Sequence, residues 1–145
     1  MKLTELMADF DGLDDEEKLE LLVDLSGELP PLSSERAAGP PSNACRVQEC
    51  QTPVFLWVDV IDGRTRLEAV VPKQSPTVRG LVALMVQGLD GASPAEVAAI
   101  PDDMVGRLGL QRALGMTRQQ GFRGVVARIK REILQQPITS TVVTP

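Results

Sequence analysis

The chain has 145 residues, of which 43% are apolar and 24% charged, a balance typical of one globular domain. Its formal net charge of −5 and its lack of a basic cluster argue against nucleic-acid binding through phosphate contacts. No apolar run is long enough to span a membrane, and the N-terminal residues lack the apolar stretch of a signal peptide. We therefore expect a cytoplasmic protein with no membrane or nucleic-acid partner.

The sequence contains no histidine and no tyrosine. This excludes Ser-His-Asp and Cys-His nucleophile pairs, His-containing zinc sites and acid–base catalysis by imidazole. The two cysteines, Cys45 and Cys50, are too few for a zinc or iron–sulfur site within one chain, so no metal site is expected. The candidate reactive group is a thiol, and our central hypothesis is that Cys50 is used chemically.

The N-terminal region predicts two helices. The first has apolar residues at i, i+3, i+4 and i+7 and ends at Asp11-Gly12. Asp14 and Glu17 form a capping box that begins the second helix, and Pro30-Pro31 ends it. The apolar residues of the first helix are Leu3, Leu6, Met7 and Phe10, and the predicted core stripe of the second is Leu19, Leu22 and Val23.

Residues 30–44 are rich in turn-forming residues and predict a long loop that leads to Cys45 and Cys50. A β-hairpin follows, because Asp62-Gly63 is a two-residue turn between segments of alternating polarity. Because Pro53 has no N–H for a strand ladder, Cys50 is expected at the mouth of the sheet. Centring the hairpin on the turn predicts these cross-strand pairs: Ile61 with Arg64, Val60 with Thr65, Asp59 with Arg66, Val58 with Leu67, Trp57 with Glu68, Leu56 with Ala69 and Val54 with Val71.

Four helices are predicted in the second half. They begin at Ser75-Pro76, at the Ser93–Glu96 capping box, at Asp102-Asp103 and at a Thr117–Gln120 box. The last helix has the clearest apolar stripe, formed by Phe122, Val125, Val126, Ile129 and Ile133. Pro137 is expected to end it, which predicts one domain over residues 1–136 and a flexible C-terminal tail over 137–145. The predicted fold class is α+β, a small antiparallel sheet with helices packed on one face.

With these elements placed, five blocks in order resemble the SufE family, the sulfur acceptors that work with pyridoxal-phosphate cysteine desulfurases in iron–sulfur cluster assembly. The resemblance implies the fold that SufE shares with IscU-like proteins. The matching blocks are Leu-Pro-Pro-Leu at 29–32, Arg-Val-Gln-Glu-Cys-Gln-Thr-Pro-Val-Phe-Leu at 46–56, Val-Arg-Gly-Leu at 78–81, Leu-Gly-Leu at 108–110 and Thr-Arg-Gln-Gln-Gly-Phe at 117–122.

The resemblance implies that Cys50 receives sulfur as a persulfide from a SufS-like desulfurase, stimulates that enzyme and passes the sulfur to iron–sulfur scaffold proteins. Arg118 would be the supporting cation. The protein would be a carrier and activator rather than an enzyme, monomeric or weakly dimeric, with no cofactor of its own because pyridoxal phosphate belongs to the partner.

Three residues depart from the family pattern. Glu49 stands where the family has glycine, and we expect strain if that position needs positive φ, and a carboxylate that disfavours the Cys50 thiolate. Gln74 replaces an acidic residue and Cys45 an asparagine. Other hypotheses remain open: an iron–sulfur scaffold-like protein, a thiol–disulfide regulator that uses Cys45 and Cys50, or a binding subunit in which Cys50 is an inert buried residue.

Overall fold

A computed structural model describes residues 1–135 and confirms the α+β class. The predicted helix end at Pro137 and the tail over 137–145 lie outside the described residues. In chain order the elements are α1 (Lys2–Ala8), α2 (Asp15–Ser26), α3 (Ser34–Ala37), a 3₁₀ turn (Asn43–Cys45), β1 (Phe55–Ile61), β2 (Arg64–Val70), α4 (Pro76–Gly88), α5 (Pro94–Ala98), α6 (Met104–Leu108) and α7 (Met116–Gln135).

Helix α4 lies at the centre of the core and packs against α1, α2, α7 and β2. Most of its residues are buried, and the helix is therefore apolar on nearly all sides. Gly80 allows α2 to approach closely, because a Cβ at this position would overlap the carbonyl oxygen of Leu22. Helix α4 is therefore the surface on which the other layers are assembled.

Helix α2 begins as predicted. The Asp14 carboxylate accepts a hydrogen bond from the Glu17 N–H at 2.8 Å, and the Glu17 carboxylate accepts one from the Asp14 N–H at 3.0 Å. The prediction that Val23 belongs to the core stripe is wrong, since its side chain is 47% exposed. The face of α2 that meets α4 runs through Leu22 and Leu25, which are three residues apart and therefore share one side of the helix.

The predicted hairpin register is confirmed from Phe55–Val70 to Ile61–Arg64, and the predicted Val54–Val71 pair lies just beyond this ladder. Asp62 and Gly63 have φ values of 54° and 76°, as a type I′ turn requires. Asp59 and Arg66 are opposite each other as predicted, yet they do not form an ion pair with each other. Asp59 instead pairs with Arg36 at 2.9 Å, and Arg66 lies 3.9 Å from Asp90.

Both edges of the two-stranded sheet contact irregular chain. On the β2 edge, the Thr65 N–H donates to the Ala92 carbonyl at 2.7 Å, and the Gly91 N–H donates to the Thr65 carbonyl at 2.8 Å. On the β1 edge, Arg46 forms an isolated antiparallel bridge with Phe55. The sheet is thereby tied both to the end of α4 and to the segment that carries Cys50.

The prediction that residues 30–44 form a loop is wrong, because α3 lies within this segment and the 3₁₀ turn begins in it. Arg36 fixes this segment on the outer face of the sheet. Its guanidinium lies 5.4 Å from the centre of the Trp57 ring, and it pairs with Asp59 at 2.9 Å and with Glu68 at 3.1 Å. The order in this segment therefore comes from contacts with strands that follow it in the chain.

The helix starts in the second half are confirmed except for the last. Ser75 precedes α4 without a side-chain capping bond, the Ser93–Glu96 capping box is formed, and Asp103 caps α6. The predicted start at Thr117 is wrong: α7 already includes Met116, and the Gln119 N–H bonds to the Gly115 carbonyl. The predicted α7 stripe, Phe122, Val125, Val126, Ile129 and Ile133, is buried.

Candidate functional site

Cys50 lies in the segment 46–54, here called the Cys50 loop, between the 3₁₀ turn and β1. The loop is closed at its base, where the Val47 N–H donates to the Val54 carbonyl at 2.9 Å. Within it, the Cys50 N–H donates to the Val47 carbonyl at 3.2 Å. As Pro53 predicted, Cys50 lies outside the strand ladder, at the end of the sheet where β1 begins.

Two glycines of α7 bring the Cys50 loop onto the helix surface. A Cβ at Gly121 would lie 3.0 Å from the Cys50 sulfur, and a Cβ at Gly124 would lie 2.5 Å from the Glu49 Cβ. Because these glycines are three residues apart, they face the same side of α7. The absence of side chains at both positions is what allows the thiol to rest against the helix backbone.

The Cys50 thiol is sheltered at rest, since the residue is only 5% exposed. Burial raises its pKa, because the low-polarity surroundings disfavour the thiolate. The Thr52 N–H, the Arg46 charge and the Thr52 hydroxyl act in the opposite direction and only partly offset burial. The resting group is therefore a neutral, protected thiol with donors already placed beside it.

The two expected penalties from Glu49 are wrong. Among the described non-glycine residues only Asp62 has positive φ, so Glu49 occupies an ordinary backbone conformation. The Glu49 charge is not among the causes that raise the pKa of Cys50, which is raised by burial. Its side chain is exposed while the sulfur is buried, so solvent screens the carboxylate from the thiol.

Arg118 is exposed in the first turn of α7. It precedes Gly121 by three residues and thus shares the helix side that meets Cys50. Within residues 1–135 it makes no hydrogen bond or ion pair. The sequence-predicted cation is thus placed one helical turn from the point where the sulfur contacts α7.

Sequence reasoning missed Arg128. Its guanidinium donates to the Arg46 carbonyl at 2.8 Å and to the Ala44 carbonyl at 2.6 Å, which joins α7 to the start of the Cys50 loop. The sequence does contain a pattern that could have indicated this contact, because Gly121, Gly124 and Arg128 are spaced as one face of a helix. This face borders the apolar stripe, and its two glycines indicate a close contact with another chain segment.

Sequence comparison decides the family. The family model described as the SufE Fe-S metabolism associated domain matches residues 4–133. A SufE-like protein of Mycobacterium tuberculosis is 38% identical over 132 residues, which cover 90% of each chain. This chain belongs to the SufE family. Its resemblance to that family is therefore confirmed, and so is its association with iron–sulfur metabolism.

Other relatives agree with this SufE assignment. A SufE-like protein of a Synechocystis species is 30% identical over 112 residues, covering 77% of this chain and 67% of that one. The solution structure of a hypothetical protein from Thermus thermophilus has a TM-score of 0.78, with 27% identity, over 99% of this chain and 97% of that chain. The SufE fold thus accounts for almost the whole chain.

Cys45, the second thiol of this SufE protein, lies half-buried at the end of the 3₁₀ turn, and both cysteines are free. In the described part of the chain, no group of three or more Cys, Asp or Glu residues is placed to hold a metal ion. No helix of residues 1–135 is long and apolar enough to cross a membrane. No contact among these residues favours the scaffold or disulfide hypotheses.

A groove of about 910 Å³ lies elsewhere on the SufE domain. It is lined by residues of α1, α4 and β2 and by the segment Pro30–Ser33, and neither cysteine borders it. Cys50 is therefore presented by a loop on the helix surface rather than at the bottom of this groove.

Proposed function

We propose that this SufE-family protein accepts sulfur on Cys50 from a SufS-like cysteine desulfurase and carries it to iron–sulfur cluster assembly. The observation that carries the proposal is the placement of Cys50: a thiol buried against Gly121 but held in an irregular loop rather than in a strand or helix. A carrier needs this combination, because a terminal sulfur must be protected from other thiols and still reach a partner.

The transfer is a thiol–persulfide exchange. The Cys50 thiol loses its proton, and the thiolate attacks the outer sulfur of the persulfide on the desulfurase cysteine. A new sulfur–sulfur bond forms on Cys50 as the old one breaks, and the desulfurase cysteine leaves as a thiolate that regains a proton. There is no net oxidation or reduction. A second exchange of the same kind moves the sulfur to an acceptor cysteine on a scaffold protein.

The residues around Cys50 suit the two stages of this exchange. At rest, burial keeps the thiol neutral and unreactive. When the loop moves out on docking, the thiol loses this burial, so its pKa falls towards the ordinary value of a cysteine. Arg46 moves with the loop, and Arg118 offers a second, unpaired cation to the thiolate. Pyridoxal phosphate, which generates the persulfide, belongs to the desulfurase.

The direct test is mass spectrometry of the intact protein after incubation with a pyridoxal-phosphate cysteine desulfurase and cysteine. We expect a gain of one sulfur atom in wild type and in Cys45→Ser, none on Cys50→Ala, and stimulation of the desulfurase only when Cys50 is present. Two results together would contradict the proposal: no added sulfur on Cys50 of the wild-type protein, and stimulation of the enzyme by Cys50→Ala equal to that by wild type.

A further inference from the structure

Arg128 makes contacts that neither the core nor the transfer chemistry explains. It lies half-buried on α7, and its two hydrogen bonds reach residues 82 and 84 positions earlier in the chain. Both acceptors are main-chain carbonyls at the entrance to the Cys50 loop, outside β1 and β2. A charged donor on two carbonyls is a strong arrangement, because charge-assisted hydrogen bonds are about twice as strong as neutral ones.

The two glycine contacts between α7 and this segment are steric, because glycine has no side chain that could form a hydrogen bond. Gly121 and Gly124 leave room for Cys50 and Glu49, and they donate nothing to them through side chains. Among the described residues, the two bonds of Arg128 are the hydrogen bonds that join α7 to residues 44–54. The polar attachment of the loop to the helix therefore depends on one side chain.

We propose that Arg128 is a positioning residue that holds the Cys50 loop against α7, and that loss of its two hydrogen bonds lets the thiol swing out of its shelter. Arg128 does not touch the transferred sulfur. The link to sulfur transfer rests on the proposed function, but the holding role can be measured without any desulfurase.

The test measures the rate at which iodoacetamide alkylates Cys50 in the folded protein, in a Cys45→Ser background so that only one thiol reacts. Because a buried thiol reacts through open conformations, the rate follows the open population. We expect Arg128→Gln to raise the rate roughly tenfold, as removal of two charge-assisted hydrogen bonds allows. Arg128→Lys, which keeps a charged donor, should restore much of the protection.

Arg131→Gln is the matched control, since Arg131 is exposed on the same helix and makes no hydrogen bond or ion pair within residues 1–135. It should alkylate at the wild-type rate. Hydrogen exchange distinguishes local opening from unfolding: the Val47 and Cys50 amides should exchange faster in Arg128→Gln, while those of α4 should not change.

Gly124→Ala disturbs the packing between α7 and the Cys50 loop without removing Arg128. The added Cβ would lie 2.5 Å from the Glu49 Cβ and so must displace the loop, while alanine favours the helix. It too should accelerate alkylation, which would show that the packing of the loop against α7 is what shelters the thiol.

A wild-type alkylation rate in Arg128→Gln would overturn the holding role, whether or not Cys50 carries sulfur. Faster alkylation in Arg128→Gln accompanied by equally faster exchange of the α4 amides would overturn it as well, because the whole domain would then have loosened. Faster alkylation together with no persulfide from a desulfurase would leave the holding role standing and reject the proposed function.

Discussion

The Cys50 sulfur rests directly on the backbone of Gly121, so closely that a Cβ at position 121 would lie 3.0 Å from Sγ. Alanine at 121 would gain about 1 kcal/mol of helix propensity. Against this, overpacking a filled contact costs about 1–3 kcal/mol. Whether Gly121→Ala raises or lowers the free energy of unfolding therefore depends on whether the Cys50 sulfur is present.

We predict that Gly121→Ala lowers the free energy of unfolding by about 1 kcal/mol in wild type, where the methyl group meets the sulfur. In a Cys50→Ala background it should raise stability by up to about 1 kcal/mol, because the clash is gone and the helix preference remains. Urea denaturation of the four proteins measures this cycle. Equal effects in the two backgrounds would show that residue 121 does not contact the thiol.

The pH dependence of stability should report the buried thiol. Burial raises the pKa of Cys50 in the folded state, so the neutral thiol stabilises the fold below the unfolded pKa of about 8.5. This contribution is lost as the pH rises through the folded-state pKa. Wild type should therefore lose more stability than Cys50→Ala above about pH 8.5 in urea titrations. Parallel pH profiles would contradict a raised pKa.

Arg36 should stabilise the segment between α2 and the Cys50 loop. Arg36→Gln removes the ion pairs with Asp59 and Glu68 and the contact with Trp57, and should lower the free energy of unfolding by about 1 kcal/mol. Trp57 is the single tryptophan, so its emission reports the change directly and should shift to longer wavelength. Arg107→Gln, with no ion pair among the described residues, is the control; an unchanged emission spectrum in Arg36→Gln would argue against this contact.

Arg118 should matter for sulfur transfer and not for folding. Since its side chain is exposed and unpaired within the described chain, Arg118→Gln should change stability by less than about 0.5 kcal/mol. If Arg118 reaches the thiolate once the loop has moved out, as proposed, the rate of persulfide formation on Cys50 should fall roughly tenfold in Arg118→Gln. Arg131→Gln should transfer at the wild-type rate. Equal rates of persulfide formation in Arg118→Gln and Arg131→Gln would show that Arg118 has no role in sulfur transfer.

The hairpin and most helix boundaries were predictable because their determinants are local. Asp62-Gly63 fixes the turn, the alternating polarity fixes the faces, and capping boxes such as Asp14 with Glu17 fix helix starts. The hypothesis for Cys50 was not local in this sense, because it depended on the absence of histidine and on blocks of sequence spread from residue 29 to residue 122. The Thr117 prediction failed even though it too was local, because a good capping sequence can lie inside a helix that has already begun.

The parts that escaped prediction depend on distant residues. Residues 30–44 look structureless until Arg36 meets strands that begin some 20 residues later. Arg128 acts across more than 80 residues, and its partners are main-chain carbonyls that carry no sequence signal. The Glu49 expectations failed for a related reason: which way a loop side chain faces is set by the helix behind it.

The contacts of Arg46 with Phe55, and of Thr65 with Gly91 and Ala92, have a consequence for how two molecules can meet. A two-stranded sheet with unpaired edges can form main-chain hydrogen bonds with a strand of a neighbouring molecule, a common route to aggregation. Here a neighbour's strand would first have to displace the chain's own main-chain bonds at both sides. These contacts therefore disfavour association by sheet extension at Phe55 and at Thr65.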